Sequence, residues 1–109
     1  MLALAAAASG VQAQPAPVER DLECLMALSA LAGSDDQKTQ TAAANAAMFF
    51  SGKLFGREPD IDLKARMLSG AKTFDRSTIP ATLVRCGEEM KTRGSQLTDA
   101  GRYLQSQGY

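Results

Sequence analysis

Apolar side chains along this chain recur at three- and four-residue intervals, interrupted by short polar breaks, and the intervals mark out successive helices. In "PVERDLECLMALSALAGS", Leu22, Cys24, Leu25, Met26, Leu28 and Leu31 cover most of a helix circumference. They predict a first helix from about Pro17 to Leu31, buried on more than one side. Pro17 suits a first helical position, Glu19, Asp21 and Glu23 lie near the positive end of the dipole, and Gly33 is placed to end the helix in a left-handed cap. In "SDDQKTQTAAANAAMFFSGKLFG", Ser34 and Gln37 fit a capping box, and Ala43, Ala47, Phe50 and Leu54 draw one stripe along a second helix that stops at Gly56. A third helix is expected from Asp60 as N-cap, with Leu63, Met67, Ala71 and Phe74 on its face and an end near "FDRS". Ile79, biased out of helical geometry by the proline after it, then leads to Pro80 as the first residue of a last helix. Two-residue alternation of useful length is missing throughout, so the predicted fold is all-α: a single compact bundle of about four helices.

The last segment holds the most regular pattern. Leu83, Met90, Leu97 and Leu104 stand seven apart, and so do Gly87, Gly94, Gly101 and Gly108. Alternation of four and three puts them on one helix-packing seam, leucine or methionine at one heptad position and glycine at the other. A glycine in a helix interior costs about 1 kcal/mol relative to alanine, and close approach of a partner helix is the gain that offsets it. Ala42, Ala43, Ala44, Ala46 and Ala47 on the second helix offer a matching surface. Alternatively Gly94 and Ser95 form a C-cap followed by a new N-cap, which would split the segment. The tolerable helix formers between the glycines favour one continuous helix. Such a helix is longer than the first, so part of the seam is expected to face the second helix, the third, or a second molecule.

The first 18 residues carry no charge, and their order of an apolar run, "MLALAAAA", followed by small residues and prolines matches a secretory leader. Val11 and Ala13 form a small-x-small site, which places cleavage after Ala13. Residues 1–13 are therefore expected to be a signal peptide, 14–17 a flexible segment and 18–109 the single helical domain. No lysine or arginine precedes the apolar run, so either the true start lies upstream or the segment is an apolar tail. The run is shorter than the roughly 20 residues that span a bilayer, so no stable membrane anchor is expected after cleavage.

Export changes what Cys24 and Cys86 mean. Two cysteines in a small secreted domain point to one intramolecular disulfide, which here would close a loop of roughly 63 residues, worth about 4 kcal/mol on the chain-entropy estimate. A redox pair, a metal site and free buried thiols are the alternatives. Thioredoxin-like chemistry uses Cys-x-x-Cys and zinc takes four Cys or His ligands; with no such motif and His 0, the disulfide is favoured.

Candidate chemistry is sparse. Lys+Arg 12 balance Asp+Glu 12, which leaves no basic stripe to neutralise phosphates, so nucleic acid is not an expected partner. Without histidine, and with no nucleophile elbow, metalloprotease motif or phosphate-binding loop, the chain is not expected to be an enzyme or to carry a cofactor or metal. Asp60 and Asp62 read better as helix-capping acids than as calcium ligands, and Glu88 and Glu89, adjacent on a helix, diverge rather than form a catalytic pair. Met26, Met48, Met67 and Met90 lie at core spacing and are read as packing residues, not copper ligands.

"LECLMAL" on the first helix paired with "LVRCGEEM" near the last resembles small periplasmic proteins of the HdeA acid-stress chaperone type. The likeness is one of topology, size and cysteine placement, and only Cys24 and Cys86 carry over. It implies a periplasmic or secreted protein that works by binding other proteins, as an envelope-stress chaperone or a dedicated inhibitor, with self-association as one form of that binding. In acid, carboxylates titrating near about pH 4 would leave the chain strongly cationic and self-repelling. Carriage of a small apolar ligand between helices is the alternative expectation.

Overall fold

A computed structural model describes residues 16–109. The expected leader, residues 1–13, and the next two residues lie outside the described residues. Within them the chain forms α1 (Pro17–Ala32), α2 (Gln37–Arg57), α3 (Leu63–Ala71), a 3-10 turn (Arg76–Thr78) and α4 (Ile79–Ser106). These residues contain no strand, as the spacing predicts.

α1 is the central element, and α2, α3 and α4 all pack on it. Leu22, Cys24, Leu25, Ala27 and Leu28 are buried, which a helix achieves only when it is covered on several sides. α2 supplies the largest facing surface: Phe50 and Leu54 are fully buried and Ala43 and Ala46 nearly so. Phe49 meets Phe50 edge to face, ring centroids 4.9 Å apart. α3 buries no residue completely; Leu63 and Met67 lean on the core with Ile61 from the preceding turn. On α4 the one buried residue is Cys86, bonded to Cys24 with Cα atoms 5.9 Å apart, and Leu83 and Met90 flank it against the core.

Several local expectations are corrected. Gly33 has φ −84°, an ordinary right-handed value; a tight turn, in which the Ser34 N–H donates to the Leu31 carbonyl at 2.9 Å, ends α1 without a left-handed residue. The cap of α2 is Asp36 rather than Ser34, because its carboxylate accepts from both the Thr39 N–H and the Thr39 hydroxyl (3.3 and 2.6 Å). Ser34 is used one step earlier, its hydroxyl accepting the Asp36 N–H. α2 runs past Gly56 to Arg57 and stops at Glu58, held extended before Pro59. The N–H of Ile61 donates to Glu58 across Pro59 and Asp60, which delays α3 until Asp62 can cap it through the Ala65 N–H at 3.1 Å. α3 ends at Ala71, so Phe74 lies beyond it, while Pro17 is the first residue of α1, as its fixed φ leads one to expect. Ile79 is helical (φ −53°, ψ −49°): the 3-10 turn capped by Asp75 already winds the chain, and the pre-proline bias gives way. α4 is continuous through Gly94.

Two expected outcomes follow from this packing. The double variant Cys24→Ser/Cys86→Ser should lose about 4 kcal/mol in urea denaturation, and amide exchange at the start of α4 should accelerate more than in α2; an unchanged midpoint would show that the bridge constrains nothing. The second concerns acid. The Thr39 hydroxyl, helped by the Thr39 and Lys38 N–H groups and opposed by slight desolvation, holds the Asp36 carboxyl below its usual value. Such a group stabilises the fold above the ordinary carboxylate range and loses that contribution as pH falls through its lowered folded value. Protection of the first-turn amides of α2, taken relative to their intrinsic exchange rates, should therefore fall in that acid window, and Asp36→Asn, which still caps, should flatten the dependence.

Candidate functional site

The predicted seam divides in two. Leu83 and Met90 pack on the core beside the disulfide, whereas from Lys91 onward every residue of α4 is exposed. Leu97 is 76% exposed and Leu104 52%. Among the described residues no heavy atom outside the local backbone comes within 4 Å of a Cβ built on Gly87, Gly94 or Gly101. Within this chain, then, the glycines meet neither α2 nor α3, and the alanines expected to match them serve another purpose: Ala43 and Ala46 join the core of α1 and α2, while Ala42 and Ala44 face solvent. Met48, read as a core residue, is 72% exposed.

Helix lengths explain the division. Past Cys86, α4 continues to Ser106, about 30 Å at 1.5 Å per residue, whereas α1 extends only about 12 Å to either side of Cys24. The end of α4 therefore outruns its neighbour whichever way the helices cross. Since the seam repeats every seven residues, Leu97 and Leu104 continue the same face that Leu83 and Met90 lay on the core. The outcome is an apolar helix face that begins inside the protein and ends outside it.

A charge cluster built around one buried carboxylate fixes the base of this arm. Asp21 of α1, with a side chain 3% exposed, lies 2.9 Å from Lys53 Nζ of α2 and 3.5 Å from Arg57 Nε. Lys53 also pairs with Glu89 of α4, so one ammonium links three helices. Its nitrogen stands 5.8 and 5.5 Å from the ring centroids of Phe49 and Phe50, close enough for cation–π attraction. Among the described residues Asp21 Oδ2 finds no hydrogen-bond donor. Arg85, next to the bridging cysteine, donates to Glu23 of α1 at 2.8 Å. Sequence reading missed the cluster by assigning Asp21 to the helix dipole; the signal was a carboxylate directly before the apolar run of α1 and a lysine between Phe50 and Leu54 on the stripe of α2.

Among the described residues no group of side chains is arranged to hold a metal ion, and no helix is long and apolar enough to cross a membrane. Set against protein-family models, curated proteins and solved structures, the chain matches none.

The cluster makes a measurable claim. Lys53→Met leaves the buried Asp21 with only the longer Arg57 contact and should cost about 3 kcal/mol, the low end for a broken buried pair because Lys53 keeps some solvent. The double variant Asp21→Leu/Lys53→Met should recover most of that loss in thermal or urea denaturation. Losses that simply add would show that the two groups are not coupled.

Proposed function

We propose that the protein is an exported helical binding protein whose distal α4, residues 91–106, is the arm that contacts another protein. One observation carries the reading: the apolar face of α4 continues past the core with Leu97 and Leu104 exposed. The partner this face suits is a protein presenting an apolar helix or a groove of helix width, because a heptad seam with glycine at alternate positions lets a second backbone come close. Export is supported by the Cys24–Cys86 bond, which belongs in an oxidising compartment. Between the two forms of binding expected from the sequence, the arm favours a standing interaction, such as that of a dedicated inhibitor, over acid-released chaperoning. The apolar face is already presented by the folded chain and needs no unfolding step.

The test uses the full chain, purified from an envelope fraction and examined by native mass spectrometry beside Leu97→Asp/Leu104→Asp. Both leucines are exposed, so the variant should keep its stability; burial of a leucine at an interface is worth roughly 1.5–3 kcal/mol, and the partner should therefore bind about 100-fold or more weakly. Gly94→Ala should stabilise α4, since its new methyl meets nothing among the described residues, and yet weaken the complex. A companion retained equally by wild type and variant, or no companion at all, would overturn the reading; a second copy as the companion would identify self-association as the mode.

A further inference from the structure

A cleft of about 660 Å³ lies between α1, α3 and the start of α4, lined by no residue of the distal arm. Its apolar lining comes from Leu22 and Met26 on α1, Met67 on α3 and Phe74 in the turn that follows. Leu22 is buried in the core, while Met26, Met67 and Phe74 are only half covered and present thioether and ring surface to the opening. Gly70 lines the same space, and a Cβ built there meets no atom of the described residues within 4 Å. The volume falls in the range of small-molecule sites.

The charge around this floor is one-sided. Glu19, Glu23 and Asp75 line the cleft against a single guanidinium, Arg66. Arg66 is already engaged, donating to Glu58 at 3.0 Å and to Glu19 at 3.2 Å. Glu19 and Glu23 each receive their arginine on Oε1. Asp75 accepts from the Ser77 hydroxyl and N–H through Oδ1, bonds that keep its carboxyl below the usual range and hence charged at neutral pH. Counting Arg85, the partner of Glu23, and Glu58, the other partner of Arg66, still leaves carboxylates in excess. Ser69, Thr73, Thr78 and Thr82 complete the lining, the Thr73 and Thr78 hydroxyls donating to the Gly70 and Asp75 carbonyls.

We propose that this cleft binds a small amphiphilic cation, its apolar body against Met26, Met67 and Phe74 and its charged head among Glu19, Glu23 and Asp75. Apolar contact supplies most of the affinity, and the excess of carboxylates selects the sign of the head group. An anion of the same shape meets like charge, and a neutral one gains the floor alone. From Thr82 to Leu97 along α4 is about 22 Å, so this site and the arm stand or fall separately.

Isothermal titration calorimetry of the disulfide-bonded chain with decyltrimethylammonium, decyl glucoside and decyl sulfate, each below its micelle concentration, tests the proposal. The cation should bind at least tenfold more tightly than the sulfate, with the glucoside between, and added salt should narrow the gap. Gly70→Phe, which has room for its Cβ, should fill the cleft and lower cation affinity about tenfold; Glu19→Gln should weaken the cation severalfold and leave the glucoside unchanged. Leu97→Asp/Leu104→Asp should leave all three affinities as they were. Equal binding of cation and sulfate by the wild-type chain, absence of binding by any probe, or loss of binding on changing the arm would overturn the assignment.

Discussion

The bond between Cys24 and Cys86 is what makes α4 part of this fold. α4 buries no other residue, and its further holds on the core, Leu83, Met90, Arg85 to Glu23 and Glu89 to Lys53, all lie within about one helical turn of Cys86. A helix of 28 residues is thus fastened through a short stretch near one end. Without the covalent link, the apolar area that α4 covers would have to repay the chain entropy of ordering it, and two half-buried side chains with two partly solvated ion pairs repay little. The remaining helices have their own basis, since α1 and α2 share most of the buried apolar surface.

Within that core, Asp21 is a polar exception that imposes register. A carboxylate shielded from water is tolerable only with a charge beside it, and Lys53 can stand there only when α2 is seated with Phe50 and Leu54 facing α1. The same ammonium reaches Glu89, three residues beyond the bridging cysteine, so the rotation of α4 about its axis is tied to the seating of α2. The disulfide sets the distance between α1 and α4, and the ion cluster sets which faces meet. Together they aim the seam: with Leu83 and Met90 turned inward at the base, Leu97 and Leu104 follow on the same side farther out.

Much of this was legible in the sequence, and the rest was hidden for identifiable reasons. The number of helices, the cysteine pair and the continuity of α4 through Gly94 follow from periodicity and composition, which report which side chains need burial. Helix starts were less legible because several capping side chains compete at each: Ser34, Asp35 and Asp36 before α2, Asp60 and Asp62 before α3. The winner is decided by which carboxylate reaches a free N–H after the preceding turn has closed. Placement of the alanines failed for another reason. Periodicity says that Ala43 and Ala46 face something close, but not whether it is the neighbour in sequence, α1, or the more distant α4. The two-residue neighbourhood of Lys53 and Asp21 was missed because a charge inside an apolar stripe acquires meaning only when its partner, 32 residues away, is known.

The glycines of α4 carry the question outward. In a helix interior each costs about 1 kcal/mol against alanine, and the usual recompense is a neighbour whose backbone would collide with a Cβ. Among the described residues no such neighbour exists for Gly87, Gly94 or Gly101. An exposed helical stretch of this length is marginal by itself, and glycines, threonines and an aspartate make it weaker still. The fold therefore holds in helical form a segment that its own contacts do not stabilise, at a spacing that keeps leucine and glycine on one side. Chance glycines in a tail would need only to be tolerated, and nothing would keep them in step with Leu97 and Leu104. On the binding reading proposed above, a seam closing against another protein would account for the glycines and the exposed leucines by the same contact, because a missing Cβ would let Leu97 and Leu104 and the partner's backbone come close together.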